Sequence, residues 1–136
     1  MLIRMAEVVI CGYARSAFTP AKKGQLRKTR PDDLAAEVIK GLLEKTGVKK
    51  EDVEDLILGC AFPEAEQGMN LARNVVFLTG LPKSVGGVTV NRFCASSMQA
   101  IHQAAGAIHS GAGDLFIAGG VESMSRVPMP AFNPML

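Results

Sequence analysis

The residues with the clearest chemical potential lie in "VTVNRFCASSMQAIHQAAGAIHSG", Val88–Gly111. A short β-branched run ends at Asn91, a helical pattern follows within a few residues, and Cys94 stands at the join. A thiol at a helix N-terminus lies near unpaired backbone N–H groups, whose partial positive charge favours the thiolate. The same N–H groups suit an oxyanion formed during attack on a carbonyl. Ala95, Ser96 and Ser97 are small and leave room for close approach. A second reading stays open on spacing alone, because free cysteine is among the most buried residue types and often only packs.

A nucleophile needs a base, and two histidines share the helical stretch. His102 is eight residues from Cys94, about 12 Å along a helix axis and beyond the hydrogen-bond reach of a general base. His109 is farther, and a spacing of seven between the histidines is wider than that of helical metal pairs. Both are read as structural, so a base for Cys94 has to come from outside these 136 residues. Cys11 and Cys60 end β-like runs and are also read as structural. Gly119 and Gly120 follow a strand but open no G-x-G-x-x-G helix, and no P-loop is present, which argues against dinucleotide binding. Lys22, Lys23, Arg27, Lys28 and Arg30 form a basic loop, read as a solvated surface ahead of a phosphate contact.

Four β-like runs position these groups: Glu7–Tyr13, Asp55–Cys60, Gly87–Asn91 and Asp114–Gly120. Three helices lie between them. The first opens at Pro31 with Asp32 and Asp33 complementing the dipole, repeats Leu34, Val38 and Leu42 alongside Ala35, Ile39 and Leu43, and closes at Gly47. The second, "LARNVVFLT", takes Asn70 as its N-cap and ends at Gly80 and Pro82. The third runs from about Cys94 to Ser110. Strand–helix alternation of this kind predicts an α/β fold with helices layered around a largely parallel sheet.

Composition agrees with a globular chain: 48% hydrophobic and 21% charged residues, with mean hydropathy +0.19. A net charge of +2 gives no reason to expect a nucleic-acid or anionic-membrane partner. Three widely spaced cysteines make neither a disulfide framework nor a CxxC zinc pair, so reduced thiols and no metal are expected. The N-terminus lacks a signal-peptide core, and no apolar run is long enough to span a membrane. The expectation is a cytoplasmic protein. Two features look unfinished. The third helix is small or apolar on nearly every side, which predicts burial all round, and "VESMSRVPMPAFNPML" is a tail without a periodic pattern.

The stretch from Val90 to Met129 closely resembles the nucleophile region of the thiolase family. That family carries N-x-x-C-x-S-[SG] followed by a strand ending in G-G-x-E-S-M-S, here Asn91, Cys94, Ser96 and Ser97, then Gly119, Gly120, Glu122, Ser123, Met124 and Ser125. "ARSAFTPAKKGQL" and "EQGMNLARNVVFLTGLP" are similar to two earlier family segments, although the lysine-rich "TPAKKG" departs from the commoner form. The resemblance covers nearly the whole chain. It implies a longer enzyme, with residues 1–120 part of an N-terminal domain and 121–136 the start of a coenzyme A-binding loop domain. A second α/β domain would follow, with the nucleophile helix buried between the two sheets.

The resemblance also implies an acyltransferase of fatty acid metabolism. Cys94 would attack a 3-ketoacyl-CoA, form an acyl-thioester intermediate and pass the acyl group to coenzyme A, or run the reverse Claisen condensation. Its backbone N–H would join an oxyanion hole, and coenzyme A would be a substrate with no cofactor required. The family's Gly-His-Pro, Cys-x-Gly and Asn-Glu-Ala-Phe motifs do not occur here. Only the nucleophile carries over, no coenzyme A-binding residue is assigned, and the chain alone is expected to be inactive. A homodimer or homotetramer is implied, or a second chain supplying the missing domain. Two alternatives remain: a non-catalytic thiolase-like fragment or scaffold, and a ketoacyl-synthase relative, whose usual T-A-C-[AS] turn differs from "NRFCASS".

Overall fold

The computed structural model describes residues 7–129 and 131–132. Helix α1 (Pro31–Thr46) begins with proline at its first position and ends where Gly47 adopts φ 69° and donates to Leu43 O at 2.9 Å. Strand β1 (Asp55–Gly59) leads to α2 (Leu71–Thr79), β2 (Gly86–Val90), α3 (Ser96–His109) and β3 (Phe116–Gly120). The sheet order is β2-β1-β3, and both pairings are parallel, with Asp55 opposite Gly86 and Phe116. The expected α/β architecture with a parallel sheet is what forms.

Side-chain alternation along β1 divides the interior into two layers. Leu56 and Leu58 enter a core with Ala35, Ile39 and Leu43 of α1 and Leu71, Val75 and Val76 of α2. Ile57 points the other way, onto Ala100 and Ala104 of α3. Residues alternating on β1 therefore face helices on both sides, as a central parallel strand requires. In α1 the buried stripe is Ala35, Ala36, Ile39 and Leu43, while Leu34, Val38 and Leu42 stay half-exposed along the wall of a cleft.

Four readings of the sequence are corrected. Glu7–Tyr13 is extended but is not a strand: Ile10 is 81% exposed, and no ladder partner runs beside it among the described residues. A strand is defined by its neighbour, and among the described residues this segment is tied to the end of α1. Lys45 Nζ donates to Tyr13 O at 3.1 Å and stands 4.2 Å over the Tyr13 ring. Asn70 occupies the position before α2 but makes no side-chain cap, because its φ of 53° turns it toward β2. Its Nδ2 donates to Gly87 O at 2.8 Å, and Thr89 Oγ1 takes over the capping by accepting the Ala72 N–H at 3.0 Å. Helix α3 starts at Ser96, two residues beyond Cys94, because the intervening residues form a turn. Nor is α3 buried all round: Ser96, Ala100 and Ala104 are covered, while Met98 and Ile101 are 55% and 42% exposed. Only one of its faces has a sheet to lie on.

No helix among the described residues is long and apolar enough to cross a membrane. Those residues also contain no group of three or more histidine, cysteine and acidic side chains able to hold a metal ion.

Asp55 opens β1 with its carboxylate over Gly86, and Oδ1 is buried without a hydrogen-bond partner. Burial raises its pKa above the ordinary value, against weaker opposing pulls from a Leu56 backbone hydrogen bond and the Arg73 charge. A carboxyl raised in the folded state contributes stability at low pH that is lost as pH rises through its folded value. Asp55→Asn is therefore expected to raise the urea midpoint at neutral pH by an amount corresponding to about 1 kcal/mol. The gain should shrink below about pH 4, where the wild-type carboxyl is protonated in both states. Urea melts of both proteins at the two pH values check this.

Candidate active site

The turn that carries Cys94 is built from its own polar groups. Asn91 Oδ1 accepts the Phe93 N–H at 2.8 Å, an Asx-type turn, and Asn91 Nδ2 reaches back to Ala61 O at 3.0 Å. Ser96 Oγ accepts the Arg92 N–H at 2.8 Å and donates to Phe93 O at 2.6 Å. The Ala95 and Ser96 amides donate to Arg92 O and Phe93 O at 3.0 and 3.1 Å. Within 92–96, the Cys94 amide is the one without a hydrogen-bond acceptor among the described residues. Phe93, just before the cysteine, holds φ 47°, a left-handed conformation that is uncommon for a bulky side chain.

Beneath this turn, α3 meets the sheet backbone to backbone. A Cβ on Gly59 would collide with Ser96 C and Ser97 N, and one on Gly120 with Ser97 Oγ. Both strand ends must lack side chains for the first turn of α3 to sit where it does. This gives a physical role to Ser96, Ser97 and Gly120 of the sequence motif. Gly119 is less confined, with Leu58 Cδ2 at 3.4 Å from an added Cβ.

Glu122 is held at the centre of a polar bracket. Its Oε2 accepts the Ala61 N–H at 2.6 Å and its Oε1 accepts Gln67 Nε2 at 2.7 Å. Gln67, fully buried, also donates to Phe62 O at 2.8 Å and accepts the Ser123 N–H at 2.6 Å. Hydrogen bonds to a charged acceptor are worth about 1.5–3 kcal/mol each, so the loops after β1 and β3 are joined firmly. Sequence reasoning missed Gln67, since a loop glutamine carries no periodic or motif signal. A second tie joins Arg126 to Glu66, with Arg30 NH1 at 3.3 Å from the same carboxylate. The Arg126 hydrogen bonds hold Glu66 below the usual carboxylate range.

The three cysteines separate. Cys94 is exposed and borders a cleft of about 700 Å³, walled by β3, by α1 and by the extended segment 14–19. Cys60 lines the same cleft but is buried, its Sγ donating to Glu122 Oε1 at 3.8 Å. Burial and the adjacent Glu122 charge push its pKa up to about 12, leaving an inert thiol at neutral pH. Cys11 is exposed in the unpaired N-terminal segment and lies outside the cleft. His102 and His109 are exposed on α3, and neither lines the cleft. In the basic loop Arg30 is committed to Asp32, with NH2 at 2.7 Å from Oδ2, and to Glu66. Ser125 Oγ accepts the Lys22 N–H at 2.8 Å.

The fold and turn together define an α/β protein with an exposed thiol at a strand-to-helix junction. Residues 8–135 match the family described as Thiolase, N-terminal domain. A 3-ketoacyl-CoA thiolase of Bacillus subtilis strain 168 is 53% identical over 125 residues, which is 92% of this chain and 32% of that protein. A 3-ketoacyl-CoA thiolase of Colwellia psychrerythraea is 50% identical over 126 residues, 92% of this chain and 33% of its own length. The crystal structure of the Bacillus anthracis acetyl-CoA acetyltransferase superposes with a TM-score of 0.81 at 36% identity, over 89% of this chain and 30% of that one. The chain belongs to the thiolase family and corresponds to its N-terminal portion. It spans about a third of the length of the curated relatives it matches.

The contact under α3 makes Gly59→Ala a direct test of the turn's support. The added methyl meets backbone, which has no rotamer to yield, so a loss of about 1–3 kcal/mol is expected. Gly41→Ala, on the open face of α1 with nothing within 4 Å, serves as the control and should not destabilise. Thermal midpoints of the two variants check the contrast.

Proposed function

We propose that this chain is the nucleophile-bearing part of an acyl-CoA thiolase, with Cys94 as the attacking group. The observation that carries the reading is the exposed thiol in a self-clamped turn whose cysteine amide has no acceptor among the described residues. The Cys94 thiolate adds to the 3-keto carbon of a 3-ketoacyl-CoA, and the oxyanion formed there takes a hydrogen bond from the Cys94 N–H. The C2–C3 bond then breaks, its electron pair leaving with acetyl-CoA as an enolate that an acid protonates. The acyl group stays on sulfur as a thioester. A second coenzyme A thiolate attacks that thioester and releases the Cys94 thiolate. Sulfur suits both halves, as nucleophile and as leaving group.

The acid and base for these steps are assigned to the rest of a longer protein or to a partner chain, since the family's Gly-His-Pro and Cys-x-Gly motifs do not occur in these residues. Residues 1–120 are read as part of the N-terminal domain and 121–136 as the start of a loop domain. The open edge of β3, the unpaired segment 7–13 and the apolar cleft beside β3 fit further chain packing there, so the cleft itself is not offered as the substrate pocket. The same reading takes coenzyme A as a substrate, needs no metal or cofactor, and includes a homodimer or homotetramer in the cytoplasm.

Brief incubation of the full-length protein with a short 3-ketoacyl-CoA, followed by denaturation and peptide mass analysis, should find an acyl adduct on Cys94. Cys94→Ser should abolish acyl transfer, whereas Cys11→Ser and Cys60→Ser should retain it. Equal loss from all three would return Cys94 to a packing role. Residues 1–136 produced alone should show no coenzyme A-dependent cleavage, and measurable turnover by them would contradict the assignment of acid and base to other parts of the assembly.

A further inference from the structure

Glu122 sits two residues past β3, and its carboxylate is used on both oxygens. One holds the Ala61 N–H at 2.6 Å and the other holds Gln67 Nε2 at 2.7 Å. The bracket continues beyond these contacts. Ala61 O accepts Asn91 Nδ2 at 3.0 Å, and Asn91 Oδ1 accepts the Phe93 N–H at 2.8 Å. Phe93 is the left-handed residue immediately before Cys94. Three hydrogen bonds in series, through Ala61 and Asn91, thus run from the Glu122 carboxylate to the backbone that aims the thiol.

We propose that Glu122 is a positioning residue for Cys94: by fixing Ala61 it fixes the acceptor that orients Asn91, and through Asn91 it maintains the left-handed Phe93. It touches no reacting atom, and the proposal rests on Cys94 being the nucleophile. A purely bracing role is separable, because Glu66 supplies a comparison in the same part of the chain. Glu66 ties Arg126 and Arg30 together, and none of its hydrogen bonds among the described residues leads to Asn91.

The test compares Glu122→Gln, Asn91→Asp and Glu66→Gln in the full-length protein. Glu122→Gln removes one of two acceptors. Asn91→Asp keeps the acceptor for Phe93 and replaces the donor to Ala61 with an oxygen that repels it. One readout is the rate of Cys94 alkylation by iodoacetamide against pH, mapped to its peptide. The other is kcat and KM measured separately with a short 3-ketoacyl-CoA and coenzyme A. Glu122→Gln and Asn91→Asp are each expected to slow alkylation and lower kcat by about ten- to a hundredfold, the scale of a misplaced reacting group. KM should stay within about twofold. Glu66→Gln should lower the thermal midpoint while leaving both rates unchanged.

If Glu122→Gln fails to fold, Asn91→Asp, on an exposed turn, decides the same question. Rates within about twofold of wild type in the substituted proteins would overturn the proposal, as would an equal slowing by Glu66→Gln. Turnover surviving Cys94→Ser would instead remove the nucleophile reading. Alkylation of Cys94 would still report whether Glu122 sets the geometry of the thiol.

Discussion

Backbone packed on backbone under the first turn of α3 is the constraint on which the rest of the structure depends. With Ser96 and Ser97 lying almost on Gly59 and Gly120, the helix start has no slack toward the sheet. The height of the Cys94 turn above the strand ends is therefore set by the strands themselves. Close approach of this kind needs no long side chain to hold it and leaves none to adjust. It also explains why α3 offers Ala100 and Ala104 to the sheet, because a small-residue face keeps the axis low along its length.

Around that contact the loops are held by polar groups rather than by apolar bulk. Glu122 and Gln67 join the exits of β1 and β3, and Arg126 with Glu66 joins the segment after β3 to the loop before α2. Only Gln67 among these residues is buried, and its side chain is satisfied at both ends, by Glu122 and Phe62 O on one side and the Ser123 N–H on the other. Carboxylates suit the task here because each can accept from two donors at once. The cost appears at Cys60, whose thiol is kept protonated by the burial and charge that brace its neighbours.

Apolar burial is distributed unequally. Among the described residues, fifteen buried side chains make up the core between the sheet and α1 and α2, against three between the sheet and α3. Met98 and Ile101 on α3, Phe93 in the turn and Phe18 beside the cleft are all exposed. Large apolar side chains left in water on both sides of the sheet suit cover by further structure, which agrees with a chain matching about a third of its relatives' length.

Much of this was legible in the amino-acid sequence because it rests on local rules. Pro31 and Gly47 bound α1, short apolar runs marked β1, β2 and β3, and strand–helix alternation implied parallel pairing. Cys94 at a strand-to-helix join marked a candidate thiol, and the resemblance carried by Asn91, Cys94 and Ser96 named a family that comparison then supported. Tertiary structure alone decided the rest. Glu7–Tyr13 has the composition of a strand, yet strand formation requires a partner that composition does not supply. Asn70 has the identity of a cap, but Thr89, seventeen residues past Ala72, performs the capping. Gln67 and the joining of Glu122 to Ala61 depend on two strand exits meeting in space. Sequence determined which segments form helices and where a thiol could be presented. Only the packed molecule decided which strands find partners and which side chains hold that thiol, because hydrogen bonds between distant segments exist only after the sheet has brought them together.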